Sequence, residues 1–93
     1  PRIDRFLDRC EQVYISICLD VFAGQVAPGV SAPQPFGLSP WHVLPLLDHV
    51  LASGKACALD VVELCPRLDE DNRTARLGAA LIGRSLACWR SAR

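Results

Sequence analysis

Two apolar runs limit what this chain can fold into more than any other feature of its sequence. The first covers residues 13–19 and reads VYISICL, a nearly continuous apolar and β-branched run. The second, KACALDVVEL, covers residues 55–64. Both are typical of strands that are covered on two faces, as in a parallel sheet. A loop and a helix fit between them, so the chain predicts a parallel, right-handed strand–helix–strand unit.

Two stretches on either side of the first run have the patterns of helices. Apolar residues recur at helical spacing over residues 2–10, which predicts the end of an amphipathic helix. In the segment LSPWHVLPLLDHVLASG, Ser39 is a typical N-cap, Pro40 suits the first helical position, and Gly54 suits the end of the helix. Pro45 removes an interior hydrogen bond, so it predicts a kink or a late start for this helix.

A last helix is predicted over RTARLGAALIGRSLACW, residues 73–89, with Asp71 or Asn72 as its cap. Its apolar face carries Leu77, Ala80, Leu81 and Ala87 or Cys88. The element order is therefore α-β-α-β-α. Because two strands bury little surface, residues 1–93 are expected to form a single segment, the edge of a larger α/β sheet.

Carboxylates and a long loop fall at the ends of the two predicted strands. Asp20 ends the first strand, and Asp60 and Glu63 lie near the end of the second. About twenty residues rich in Pro and Gly follow Asp20, and so long a loop in a compact domain is usually functional or disordered. Ligands bind at the carboxyl ends of parallel strands, so Asp20 and Glu63 are expected to converge on one site.

Carboxylates at such a site can bind a metal ion or a cationic substrate group, or they can have a purely structural role. They are hard ligands that suit Mg or Mn, and they can hold a cationic group of a substrate. The alternative is that Asp20 caps a turn and that Glu63 forms a salt bridge. The residues by themselves leave these interpretations open.

Charge, hydropathy and cysteine usage narrow the classes of protein. The formal net charge is zero, which gives no electrostatic case for nucleic acid or an anionic membrane as a partner. No apolar run reaches the roughly 18 residues of a membrane span, and PRIDRFLDRC is too charged for a secretory signal. None of the five cysteines forms a CxxC pair, so they indicate reduced thiols in a cytoplasmic protein.

Several motifs in a fixed order resemble one family. The first motif of that family is S-x-D-x-D, followed by a Pro-Gly pair and a later Gly. The second is D-[IV]-x-E-x-x-P, and the third is D-x-x-x-x-T-A. The matching positions are Asp20, Pro28, Gly29 and Gly37, then residues 60–66, then Asp69, Thr74 and Ala75. Together they resemble the C-terminal third of the ureohydrolases: arginase, agmatinase and formimidoylglutamase. Among these, the segment VAPGVSAP is most similar to formimidoylglutamase.

The resemblance implies a three-layer α/β/α, arginase-like fold, of which this chain is the C-terminal portion. It implies two Mn ions whose bridging hydroxide attacks an amidine-type carbon. Asp20 matches a ligand of one Mn ion, Cys18 stands where the family has an Asp that bridges both, and Glu63 matches the acid that pairs with the substrate's cationic nitrogens. The implied reaction converts N-formimidoyl-L-glutamate and water to L-glutamate and formamide, in histidine degradation. The implied partners are a small amidine substrate and either further copies of the chain or the rest of its own domain.

The chain also departs from the family pattern. Cys18 offers a soft thiolate with one donor atom, which favours Zn or Fe over Mn, and Ala23 and Gly24 replace a common Asp-Pro pair. The histidine motifs Gly-Gly-x-His and Asp-Ala-His-x-Asp do not occur in this sequence. His42 and His49 are predicted to lie about 10 Å apart along one helix, so they cannot replace those ligands and are interpreted as surface or packing residues.

Two hypotheses from different classes follow. In the first, the chain is part of a longer ureohydrolase and is inactive by itself. In the second, it is a non-catalytic ureohydrolase-like protein whose metal site has been lost. Cys18 favours the second, whereas Glu63 and the loop favour the first. Other conspicuous side chains are expected to pack (Trp41, Trp89) or to form a solvated face (Arg84, Arg90, Arg93).

Overall fold

The computed structural model describes residues 2–90. Within them, helices and strands follow the predicted order, α-β-α-β-α. The elements are α1 (Arg2–Asp8), β1 (Val13–Cys18), α2 (Pro40–Ala52), β2 (Ala56–Val62) and α3 (Arg73–Cys88). A short 3-10 turn follows each strand, at Leu19–Val21 and at Pro66–Leu68. No helix among the described residues is both long and apolar enough to cross a bilayer.

The two strands pair in parallel, as the sequence predicts. Ile15 lies opposite Leu59, and Cys18 lies opposite Val62. The register shifts only near the start of β1. The carboxyl ends of both strands therefore lie side by side at one edge of the sheet, and the chain leaves that edge twice.

The helices cover only one face of the sheet. Ile17 of β1 shares a buried core with Leu47 and Leu51 of α2 and with Leu81 of α3. On the opposite face Tyr14 is 63% exposed, and the other exposed side chains there are Ser16, Ala58 and Val62. Within residues 2–90 this face has no covering layer of helices, although the apolar runs of both strands are typical of sheets that are covered on two faces.

Helix α2 begins where the sequence predicts its cap. The side-chain oxygen of Ser39 accepts a hydrogen bond from the Trp41 N–H, and the Ser39 N–H donates to Nδ1 of His42 at 3.2 Å. This reciprocal capping box satisfies donors that the first turn would otherwise leave unpaired. The prediction of a late start is wrong, because the helix begins at Pro40 and continues through Pro45.

Asn72 holds the N-cap position of helix α3, as predicted, but its side chain forms no capping bond. The carboxylate of Asp69 instead accepts hydrogen bonds from the N–H groups of Thr74 and Ala75, both at 3.0 Å. Asn72 lies in the left-handed region with φ of 56°, and a turn there brings the more distant Asp69 under the helix end.

The apolar face of α3 differs in part from the predicted one. Leu81 is buried, and Leu77 and Cys88 pack against the core, as expected. Of the alternatives Ala87 and Cys88, it is Cys88 that packs there, and Ala80 is exposed, so its predicted burial on that face is wrong. Besides Leu81, the buried residues of α3 are Thr74, Gly78 and Ser85. These are small or polar residues, which fit where the helix comes close to the sheet and the loop.

Side-chain contacts join the helices to one another. Arg84 of α3 donates two hydrogen bonds to the Asp48 carboxylate of α2, at 3.1 and 2.6 Å. These bonds hold the pKa of Asp48 below its usual range. Nε2 of His49 lies 2.5 Å from Oδ1 of Asp4 in α1. Arg84 is therefore not merely solvated, and each histidine of α2 has a structural partner.

The predictions for the tryptophans and for the remaining arginines are met only in part. Trp89 packs against the core as expected, whereas Trp41 is 79% exposed, which makes its predicted packing role wrong within this chain. Arg90 is exposed. Arg93 lies outside the described residues.

The uncovered sheet face predicts association of the purified 93-residue chain. Apolar side chains on that face lie beside the outer strand edges, which have no partner strand within residues 2–90, a combination that promotes pairing between chains. We expect Val62→Lys on this face to reduce association and the binding of a hydrophobic dye, and Ala79→Lys on the exposed side of α3 to change neither. Light scattering after size-exclusion chromatography and dye fluorescence measure both. A monodisperse monomer with a cooperative melt and no dye binding would contradict this prediction.

Candidate functional site

The end of β1 carries a paired thiol and carboxylate. The strand ends at Cys18, and the chain turns at once into the 3-10 segment that contains Asp20. This turn brings the two side chains together, so that Sγ of Cys18 donates to Oδ1 of Asp20 at 2.7 Å. Both residues are half-buried. Asp20 therefore accepts a hydrogen bond from the last residue of its own strand.

Glu63 occupies the corresponding position after β2. Cys18 lies opposite Val62, so Glu63 follows directly beyond the paired strand ends. Its backbone has φ of 77°, a conformation that a residue with a side chain rarely adopts. The chain thus turns sharply at Glu63, and the residue is exposed. The structure brings Cys18, Asp20 and Glu63 to one edge of the sheet, and their chemical roles stay predictions.

The local electrostatics favour the protonated form of the Cys18 thiol. Its hydrogen bond to Asp20 raises the pKa of Cys18, and partial burial and the negative charges of Asp20 and Glu63 act in the same direction. A thiol binds metal as thiolate, so a metal ion at Cys18 would first have to displace this proton. In the chain as it stands, Cys18 is a hydrogen-bond donor to Asp20.

Asp60, the third carboxylate near the strand ends, has a different setting. Oγ of Ser16 donates to Asp60 at 2.6 Å, and the Tyr14 hydroxyl donates to its other oxygen. The bond from Ser16, followed by that from Tyr14, lowers the pKa of Asp60. Asp60 therefore links β2 to β1 on the uncovered face. Sequence reasoning missed these two partners, although a parallel register that sets Ser16 opposite Asp60 indicates the contact.

The loop between β1 and α2 is ordered by apolar anchors at its start. Phe22 and Ala27 are fully buried, and Val30 is nearly so. Backbone bonds close the loop onto itself, with Ala23 N–H donating to Leu38 O at 2.9 Å. Residues 31–36 project from these anchors and are exposed. The loop thus rises from the same edge as the strand ends, on a fixed base.

The described residues do not by themselves form a metal site. No group of three or more His, Cys, Asp or Glu side chains within residues 2–90 could hold an ion. His42 accepts from the Ser39 N–H at the start of α2, and His49 pairs with Asp4, so each histidine already has a structural partner. The donors at the end of β1 are the carboxylate of Asp20, which suits Mn, and the thiol of Cys18, which does not.

Comparison with known sequences identifies similar proteins. The family described as "Arginase family" matches residues 1–88. Formimidoylglutamase of Legionella pneumophila (strain Lens) is 50% identical over 84 residues, which are 90% of this chain and 26% of the relative. Formimidoylglutamase of Nocardia farcinica is 51% identical over 82 residues, 88% of this chain and 26% of the relative. The chain thus spans about a quarter of the length of these relatives.

Solved structures show the same fold. Formimidoylglutamase from Bacillus subtilis superposes with a TM-score of 0.86 at 26% identity, over 92% of this chain and 27% of that chain. Arginase from Bacillus caldovelox superposes with a TM-score of 0.81 at 30% identity, over 89% of this chain and 28% of that one. The arginase-like α/β fold that the motifs imply is therefore confirmed.

The bond between Cys18 and Asp20 predicts the reactivity of the thiol. Because Asp20 raises the pKa of Cys18, Asp20→Asn should lower that pKa and speed alkylation of Cys18 by iodoacetamide at about pH 8, near the ordinary pKa of a thiol. Mass spectrometry of the metal-free chain, with exposed Cys57 as the internal reference, measures the rate. Glu11→Gln, a remote loss of one negative charge, is the control. Equal rates in Asp20→Asn and in the unchanged chain would show that this hydrogen bond does not govern the thiol.

Proposed function

The chain belongs to the arginase family, and we propose that it is part of a formimidoylglutamase. The proposed reaction hydrolyses N-formimidoyl-L-glutamate to L-glutamate and formamide. One observation carries the proposal: Asp20 and Glu63 meet at the carboxyl edge of a parallel pair of strands, below an anchored loop. The relatives named formimidoylglutamase, at about 50% identity, support this substrate over other linear amidines.

Glu63 is proposed to bind the cationic end of the substrate. Within residues 2–90 its side chain forms no hydrogen bond or salt bridge, unlike Asp20 and Asp60. A carboxylate accepts charge-assisted hydrogen bonds from a planar formimidoyl cation in a fixed orientation. The same contact stabilises positive charge on the nitrogens while water attacks the carbon. Glu63 therefore supplies both binding and orientation in this proposal.

Manganese is the proposed cofactor, with Asp20 as a ligand. A bound divalent ion supplies a water molecule whose lowered pKa makes it a nucleophile near neutral pH. Catalytic metal sites usually take about three or more ligands from the protein, and this chain offers one carboxylate and one protonated thiol. Further ligands are proposed to come from the rest of a longer polypeptide, so the 93-residue chain by itself is expected to be inactive.

Cys18 supports a second candidate function. A thiol that donates to Asp20 replaces the bridging carboxylate that the family resemblance implies, and it weakens the site for two Mn ions. The alternative is a non-catalytic ureohydrolase-like protein that serves as an interaction subunit. Other members of the family, of the agmatinase or arginase type, are the alternatives for the substrate.

We also propose that the protein is cytoplasmic and that this chain associates with other protein segments. All five cysteines are free, as expected for a protein of the reducing cytoplasm. The uncovered sheet face supports association with the rest of the same domain or with further copies of the chain.

Loss of the Glu63 charge tests the proposed activity. In the full-length polypeptide that the gene encodes, loaded with Mn, Glu63→Gln should lower kcat/KM for formimidoylglutamate about 100-fold, because one electrostatic contact of the transition state is removed. The Mn content should stay unchanged. Glu11→Gln, which removes an exposed acid before the start of β1, should match the parent. No turnover by the parent, or parental turnover by Glu63→Gln, contradicts the proposal.

Replacement of Cys18 tests the metal assignment. Cys18→Asp in the same polypeptide should tighten Mn binding and raise activity, because Mn prefers oxygen donors and the thiol no longer has to lose its proton. Metal analysis after equilibrium dialysis gives the Mn content of both forms. Cys57→Asp, at an exposed position far from the strand end, is the matched control. If Cys18→Asp changes neither Mn content nor turnover, Cys18 does not lie at a metal position.

A further inference from the structure

Three segments of the chain meet at Gly29 of the loop. The Gly29 N–H donates to Oγ1 of Thr74, in the first turn of α3, at 2.8 Å. The Gly29 carbonyl accepts from the N–H of Cys65, in the segment after β2, at 2.7 Å. Thr74 is fully buried, and Gly29 is buried as well. Both polar groups of one loop residue are thus used to join the loop to the two elements beside it.

Asp69 holds Thr74 in place for this contact. Its carboxylate accepts from the N–H groups of Glu70, Thr74 and Ala75, all at 3.0 Å. Burial raises the pKa of Asp69, but these backbone bonds and a bond from the Thr74 hydroxyl outweigh it and leave the pKa below its usual range. Asp69 is therefore a charged carboxylate that fixes both the backbone and the side chain of Thr74.

The loop backbone lies directly against Asp69. A Cβ placed on Gly29 would come within 2.7 Å of Cβ and Cγ of Asp69, closer than nonbonded atoms approach. No other residue fits at Gly29 unless Asp69 moves. The contact between loop and helix thus depends on a glycine here and on the Asp69 side chain together.

Glu63 is only two residues away in sequence from Cys65, which belongs to this junction. Its left-handed φ of 77° has to be maintained by the residues on either side. On one side Val62 pairs with Cys18 of β1. On the other side, two residues on, Cys65 donates to Gly29. The junction at Gly29 is therefore the second of two clamps around Glu63.

We propose that Asp69 and Thr74 are positioning residues for Glu63, acting through Gly29 and Cys65. They hold the segment after β2 and the loop at a fixed separation, so that Glu63 faces the strand end of Asp20 from a constant place. The inference rests on the proposed role of Glu63 in substrate binding. If these residues only capped α3, Asp69 would be sufficient. The bond from Gly29 N–H to the Thr74 hydroxyl and the bond from Cys65 N–H to Gly29 O would then have no role.

The test uses Thr74→Val in the full-length polypeptide, with Thr74→Ser as the conservative variant. Valine keeps the shape of the side chain and removes the acceptor for Gly29, whereas serine keeps the hydroxyl. Ser85→Ala is the matched control, because Ser85 is a buried hydroxyl of the same helix that bonds only within the helix, to Leu81 O. It should lower Tm as Thr74→Val does, without affecting the loop.

Two readouts separate this inference from the proposed function. Hydrogen exchange at the amides of Gly29 and Cys65, the two backbone donors of the junction, should speed about 10-fold in Thr74→Val, as expected for local opening, and stay parental in Thr74→Ser and Ser85→Ala. With formimidoylglutamate, Thr74→Val should lower kcat/KM about 100-fold at unchanged Mn content, since a displaced binding group has that order of effect. Thr74→Ser should restore the parental value.

The outcomes are distinct. Unchanged exchange at Cys65 in Thr74→Val overturns the inference, whether or not the parent is active. Faster exchange with parental kinetics also overturns it, because the junction then holds the loop without positioning Glu63. An inactive parent whose exchange pattern follows the expectation overturns the proposed function only, and the junction stands as the clamp of Glu63.

Discussion

Parallel pairing of β1 with β2 is the constraint on which the rest of the structure depends. Backbone bonds set Cys18 opposite Val62, so both strands end at the same edge and the chain has to leave that edge twice. Each exit carries a carboxylate: Asp20 in the turn after β1 and Glu63 in the sharp bend after β2. An antiparallel pair would put these acids at opposite ends of the sheet. The chemistry of the candidate site is thus a consequence of strand direction.

The second constraint is the way in which the long loop is held. Buried Phe22 at its start places the loop over the core, and the junction of Gly29 with Thr74 fastens its middle to α3. Between these anchors and α2, residues 31–36 are exposed. The division is physically reasonable, because a loop that lines a pocket needs a rigid base and an accessible rim. The arginase family shares this α/β framework, and the present chain covers about a quarter of the relatives' length.

The uncovered sheet face and the strand end at Cys18 both lack contacts within residues 2–90. The sheet face lacks a covering layer, and the strand end lacks further donor side chains. Tyr14 and Val62 are exposed where parallel sheets normally carry a second layer. Cys18 bonds to Asp20 at the strand end where manganese is proposed to bind, and a manganese ion would require further oxygen donors there. Both observations support the proposal that the chain works as a segment of a larger assembly.

Features that depend on neighbours in sequence could be predicted from the sequence by itself. The two strands followed from continuous apolar runs, and the start of α2 followed from Ser39 and Pro40, because strand burial and helix capping act over a few residues. The parallel order then placed Asp20 and Glu63 at one edge. Tertiary structure decided the rest: that Asp69 rather than Asn72 caps α3, that Cys18 donates to Asp20, and that helices cover one face only. These features depend on how closely separate elements approach and on the angles at which they meet, which residue type and spacing do not specify.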